Sequence, residues 1–245
     1  MPKSYNNAHR SGLPSIVADG SPVANRSDQY GATHVRNELL AWAEEGSYFR
    51  AIGNATPMTG IAQAITTSFS ATAVPLVMVN GSANVRVIPH YIKLINTAAG
   101  STTTSSLAAL SIDSANRYSS GGTDLTGLIV NSNTALGPAS SITVLRFGTV
   151  TASAAGAGTR YVFNDSCKVQ TAPCWTVGDV LRFNFSPYGD TDPETLTGAG
   201  PIAIIKNIGP VILGGANSSL VLHLWNVANA TTAPSWAFEM AWWER

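Results

Sequence analysis

From Ser47 onward, hydrophobic and polar residues alternate with a period of two, the spacing of strands that bury one face. The clearest run is the last one. Trp236, Phe238, Met240 and Trp242 fall on one face, and Ala237, Glu239, Ala241 and Trp243 on the other. Before it, Leu220, Leu222 and Leu224 share a face, with Val221, His223 and Trp225 opposite. Joined by a short loop over Ala228–Pro234, these two runs read as a β-hairpin with a buried aromatic face. A segment this apolar is expected to close a sheet.

The same period predicts strands at Ser47–Ile52, Ile61–Thr66, Ala73–Val79, Val85–Ile95, Ser105–Ile112 and Leu125–Val130. It predicts others at Ser141–Ala152, Thr159–Asn164, Asp179–Phe185 and Ile202–Ile208. Asn80-Gly81 between two apolar runs is a strong turn signal. Val85, Val87 and Tyr91 share one parity of a long strand that Pro89 interrupts, which implies a bulge or an edge position. Ser119–Thr123 and Ala152–Gly158 are small and polar and read as loops, Gly156 and Gly158 marking a turn in the second.

The pattern differs only near the start. Thr33–Glu45 carries Val35, Leu39 and Trp42 at helical spacing, and Gly46 supplies a stop. Residues 1–34 hold Pro2, Pro14 and Pro22 and no sustained period, so they read either as an arm that docks on a partner or as a frayed terminus. Leu13, Ile16 and Val17 offer apolar surface for docking, and Arg10 and Arg26 offer charge. The expected organisation is an extended arm over 1–34 and one domain over 35–245. Many strands, irregular loops and few helices make that domain an all-β sandwich or barrel.

Composition narrows the partners. Charged residues are 11% of the chain, against roughly 25% in an ordinary soluble domain, and the formal net charge is zero. A neutral surface argues against nucleic acid as a partner. No run approaches the ~18 apolar residues of a spanning helix, so no membrane partner is expected. The first residues, Met-Pro-Lys-Ser-Tyr-Asn-Asn, show no apolar signal core, which points to synthesis in a reducing cytoplasm. Low charge also removes self-repulsion and favours a homo-oligomer.

The segment Gly46-Ser-Tyr-Phe-Arg-Ala-Ile-Gly-Asn-Ala-Thr-Pro-Met-Thr-Gly-Ile-Ala62 resembles structural proteins of tailed bacteriophages. Tyr91-Ile-Lys-Leu-Ile-Asn-Thr-Ala-Ala-Gly100 and Trp242-Trp-Glu-Arg245 are similar to them as well. The resemblance implies a jelly-roll virion protein that decorates or cements a capsid, often as a trimer. Its partners would be other virion proteins, the major capsid protein first, and its place the virion after synthesis in the host cytoplasm.

Candidate chemistry is sparse. His9, His34, His90 and His223 are far apart and lack metal-ligand spacing, and His223 on an apolar strand reads as a satisfied sheet residue. No nucleophile elbow, phosphate loop or dinucleotide fingerprint is present. Asp190, Asp192 and Glu194 alternate in a loop, but Pro193 and the missing glycine spoil a calcium-loop template. The sequence therefore predicts no enzyme, no cofactor and no metal. Cys167 and Cys174 cannot complete a zinc site alone, and the compact loop between them makes a disulfide the candidate reading. The alternative function is a receptor- or carbohydrate-binding sandwich of a phage tail or fibre. Its candidate site is Trp175 as an aromatic platform beside Asn164, Asp165 and Asp179.

Overall fold

The structure is a computed structural model that describes residues 43–53, 56, 58–63, 66–100, 105–135, 138–169, 174–185, 201–227 and 232–245. The arm over 1–34, with Arg10, Leu13, Ile16, Val17 and Arg26, lies outside these residues, as does most of the 33–45 helix. Ala43 and Glu44 form the last helical residues. Gly46 stops them as expected: its φ is 75°, and its N–H closes on the Ala43 carbonyl at 3.1 Å.

Fourteen strands follow: β1 (Tyr48–Ile52), β2 (Ile61–Ala62), β3 (Ala73–Asn80), β4 (Arg86–Ala98), β5 (Ser105–Asp113), β6 (Tyr118–Asp124) and β7 (Ile129–Asn131). Then come β8 (Ile142–Ala152), β9 (Arg160–Val169), β10 (Val180–Asn184), β11 (Ala203–Asn207), β12 (Leu213–Gly214), β13 (Ser219–Val227) and β14 (Ser235–Glu244). They form two sheets. The first runs β11-β10-β4-β14-β1-β7, with β12 also on β4 and β2 on β14; the second runs β6-β8-β3-β13-β5-β9.

The pairings are nested. β1 pairs with β14, β3 with β13, β4 with β10 and β5 with β9, every pair antiparallel. This is one long hairpin rolled into two layers, which makes the fold a jelly-roll-like sandwich. The inserted segment β6–β8 widens it, β8 and β6 extending the second sheet past β3 and β7 extending the first past β1.

Alternation then fills the space between the sheets. Trp236, Phe238, Met240 and Trp242 of β14 all enter the core, as their parity predicts. Leu220, Leu222 and Leu224 of β13 meet them from the other layer. Phe147 stacks on Phe238 at 4.8 Å between centroids, and Trp175 sits edge-on to Trp236 at the same separation. Burying aromatic side chains contributes on the order of 1.5–3 kcal/mol each, so this layer of rings carries much of the fold.

Three local expectations need correction. β13 and β14 are not a hairpin: β13 lies between β3 and β5 in the second sheet, while β14 lies between β4 and β1 in the first. The two strands lie in different layers because each has a core-facing apolar side, and those sides meet across the core. The turn expected at Asn80-Gly81 is present, and it passes the chain from one sheet to the other. The Asn80 side chain organises it, accepting the Ser82 N–H at 3.0 Å and donating to the Val85 carbonyl at 2.7 Å. Val87 and Tyr91 do not share a face. The β4–β14 register slips between Ala241 and Trp242, skipping His90, so Val87 enters the core and Tyr91 the outer face. That is the bulge Pro89 announces. Finally, Ser119–Thr123 is part of β6, where Gly121 and Gly122 take φ near +75° at register shifts against β8.

Candidate interaction surfaces

The four residues proposed for a glycan platform do not form one. Trp175 is 3% exposed and belongs to the core. Asp179 is buried and caps backbone: it accepts the Thr176 N–H at 2.7 Å and the Ile202 N–H at 2.8 Å. Only Asn164 and Asp165 face solvent, on the edge strand β9, and Asp165 pairs with Lys206 at 2.6 Å. Tryptophan beside polar residues gives the same sequence signal in a core lining as in a ligand platform. The two cysteines of the candidate disulfide lie together in the core. Cys167 and Cys174 are both buried thiols in the main core cluster with no bond between them. Burial raises the Cys167 thiol to about 12.

The buried polar groups are structural clasps. Arg117, 1% exposed, donates to the Ser153 carbonyl at 2.7 and 2.9 Å and to the Ala71 carbonyl at 3.1 Å, and pairs with Asp113 at 3.6 Å. Burial would push the Asp113 carboxyl up, but the Thr159 hydroxyl, the Ala115 N–H and Arg117 together hold it below its ordinary value. Glu244 accepts from Ser140, from the Ser141 N–H at 2.7 Å and from the Trp242 indole at 2.8 Å, fixing the end of β14.

His223 is the satisfied sheet residue its setting predicts. Its Nδ1 lies 3.0 Å from the Ser70 carbonyl, which can only accept, so Nδ1 carries the proton. Nε2 then accepts from the Ser111 hydroxyl at 2.9 Å. A serine–histidine contact of this kind activates nucleophiles elsewhere. Here Ser111 is fully buried, so no substrate reaches it. Burial lowers the His223 pKa to about 4.

What faces outward differs between the two sheets. On the first sheet, cross-strand register places Ile52 on β1, Glu239 on β14, Lys93 on β4 and Arg182 on β10 in one row, and Arg50 on β1 in the next, level with Ala241 and Tyr91. Tyr91 donates its hydroxyl to Glu239, and the Arg182 guanidinium lies 4.9 Å from the Tyr91 ring centre. Burial, then the Glu239 hydrogen bond, raises the Tyr91 pKa. Tyr48 stacks on Trp243 at 4.0 Å and hydrogen-bonds His90 Nδ1 at 2.8 Å. Beside this polar-aromatic floor, Ile52, Met58 and Val130 are 41%, 60% and 58% exposed. Ile52, Met58, Ile95 and Ala237 line a shallow depression with Lys93 and Glu239 at its rim.

On the second sheet, residues 66–72 form a strap over the outward face. The strap is held by the Thr66 carbonyl on the Asn226 N–H (2.9 Å), by Ser70 on His223 and by Ala71 on Arg117. It carries Phe69, which packs edge-on against Tyr161 (5.7 Å) and Trp225 (5.4 Å). Phe69 and Tyr161 are 43% and 49% exposed, and Trp225 is half-buried. The sequence reading missed both surfaces. The outward charges of the first sheet could have been found from parity, but only with the strand order in hand. Phe69 lies outside any strand and carries no periodic signal.

Among the described residues, no group of three or more His, Cys, Asp or Glu is placed to hold a metal ion. No helix among them is long and apolar enough to cross a membrane. The chain matches no protein-family model, no curated protein and no solved structure.

Proposed function

We propose that this chain is a non-enzymatic virion structural protein of a tailed bacteriophage, one that decorates or cements the capsid by bridging neighbouring subunits. It is made in the host cytoplasm and works on the particle. The observation that carries the reading is the outward face of the first sheet. Among the described residues, Arg50, Lys93 and Arg182 share it with Glu239, next to exposed Ile52, Met58 and Val130. Exposed apolar side chains beside basic groups suit a protein partner with an acidic, partly apolar surface, as a capsid subunit can provide. The buried ionisable groups described above support the same reading, because each is engaged in holding loops and strand ends.

The jelly-roll-like sandwich is common to capsid proteins and to lectins, so the fold alone does not choose between them. The glycan-binding alternative loses its aromatic platform to the core. The test is cosedimentation of the purified protein with particles that lack it. Arg50→Glu combined with Lys93→Glu should weaken attachment at least ~tenfold, the equivalent of about 1.4 kcal/mol. Attachment as tight as that of the unmodified protein would refute the assignment of this face, and absence of any attachment would refute the function.

A further inference from the structure

On the outward face of the first sheet, β1 stops before β14 does. Their register ends where Ile52 meets Glu239. The next outward position on β14 is Ala237, so a single methyl group stands where the neighbouring strand has gone. The chain leaves β1 through Gly53, whose N–H bonds the Phe238 carbonyl at 2.7 Å. A Cβ on Gly53 would lie 2.9 Å from the Phe238 Cβ, so the close approach needs glycine, and glycine leaves the space above Ala237 unfilled. The result is the depression walled by Ile52, Met58 and Ile95, with a volume of about 130 Å³. An apolar cavity of roughly 150 Å³ takes one benzene molecule, so this hollow is the size of one apolar side chain.

Two further observations say what fills it. Met58 stands at the mouth with φ 63°, a left-handed conformation rare for a side chain of its size, and is 60% exposed. The strained backbone thus holds an unbranched, polarisable thioether over the hollow, a side chain that adapts to what it meets. Lys93 stands half-buried at the rim, and among the described residues no hydrogen bond or ion pair engages its ammonium. Its cross-strand neighbour Glu239 accepts the Tyr91 hydroxyl instead.

We infer that the depression over Ala237 is a socket for the contact segment of the partner protein: it takes one apolar side chain, and Lys93 pairs with a carboxylate two residues along that segment. The inference rests on the function proposed above and names the chemistry its partner must present. Ile95 and Lys93 are two residues apart on β4, about 7 Å, and an extended segment repeats its side chains on one face at the same interval.

The lining selects against other occupants. Apart from Thr59, Lys93 and Glu239 it presents apolar side chains. A sugar hydroxyl or a phosphate entering the hollow would shed water without gaining hydrogen bonds in return. A carboxylate meeting Lys93 beside the filled hollow is partly shielded from water, so the pair is screened less than one at the open surface. The division of labour is that of an interface anchor: the buried side chain supplies affinity, and the ion pair fixes register along the face.

The experiment titrates the capped peptide acetyl-Leu-Ser-Glu-amide into the full-length, isotope-labelled protein and follows backbone amide shifts by NMR. Concentrations reach about 20 mM, because one buried side chain and one ion pair give roughly millimolar affinity. Shifts should cluster at Ile52, Met58, Lys93, Ile95 and Ala237. Acetyl-Leu-Ser-Gln-amide should bind at least ~threefold more weakly, as should the first peptide to Lys93→Gln, while Lys93→Arg should restore binding. Ala237→Leu should abolish the shifts by filling the socket. Met58→Gly should weaken binding without lowering the Tm, since glycine relieves the positive φ and the loss is then not one of folding. Absence of shifts at the socket, or binding indifferent both to Lys93→Gln and to the Gln peptide, would overturn the inference even if the protein attaches to particles. Shifts at the same residues on raising protein concentration without peptide would assign the socket to a second copy and overturn it as well. Peptide binding as expected, with no attachment to particles, would refute the proposed function and leave the socket standing.

Discussion

Acid should destabilise this fold through one histidine. His223 is 1% exposed, and both ring nitrogens are engaged, Nδ1 donating to the Ser70 carbonyl and Nε2 accepting from the Ser111 hydroxyl. Burial first, with some repulsion from Arg117, lowers its pKa from 6.5 to about 4, and the Ser70 carbonyl opposes this only in part. Between those two values the unfolded chain binds a proton that the folded chain refuses. Stability therefore rises with pH across the window and falls as pH drops from about 6.5 towards 4. A shift of this size corresponds to roughly 3 kcal/mol, lost in full only below the folded-state value. Urea unfolding at a series of pH values from 7.5 to 4 measures it. His223→Gln removes the titration, so the difference in unfolding free energy between the two proteins should shrink as pH falls, whatever the variant costs at neutral pH. Carboxylates that titrate in both proteins cancel from that difference. A constant difference across the series would show that His223 protonates as readily in the folded chain as in the unfolded one, and would refute the account of its burial.

Three further outcomes follow from the packing. Trp236→Ala should cost about 3–5 kcal/mol, since the indole is fully enclosed, while Trp243→Ala on the outer face should cost about 2, by chemical denaturation. Equal losses would mean that the two faces of β14 are not distinguished as described. Arg117→Ala should cost about 3–5 kcal/mol, because it leaves buried Asp113 and the Ala71 and Ser153 carbonyls without their cation, and differential scanning calorimetry should show a lower Tm. Neither Cys167 nor Cys174 should react with a maleimide in the native protein, and both should react in denaturant; mass spectrometry showing rapid native labelling would contradict their burial.

The sequence revealed the faces of the strands better than their neighbours. Parity alone placed Trp236, Phe238, Met240 and Trp242 together in the core, because a two-residue period is a local property of the chain. It placed β14 beside β13, because adjacency in sequence is the default guess, whereas the nested pairing joins β14 to β1 across nearly the whole domain. Pro89 correctly announced a bulge, but the bulge itself reversed the parity of Tyr91, so the same residue that marked the irregularity spoiled the prediction beyond it. β6 was hidden by Gly121 and Gly122, whose positive φ angles look like a loop in sequence and serve a strongly irregular edge strand in the fold. Trp175 misled because aromatic side chains are chosen by cores as readily as by sites. The two interaction surfaces were illegible because each is assembled from strands that are distant in the chain.

The pairing of β1 with β14 also sets when this protein can exist. β14 occupies the middle of the first sheet, between β4 and β1, and is made of residues 235–244. On a translating ribosome, β1 and β4 emerge long before the strand that joins them. Until residue 244 has cleared the exit tunnel, each keeps an unsatisfied row of backbone groups and an exposed apolar side. Folding therefore waits for this last-made strand and has long loops to close, slow for a domain of this size. Throughout synthesis the nascent sandwich depends on a chaperone, or on dilution, to keep its open strands from finding those of another chain.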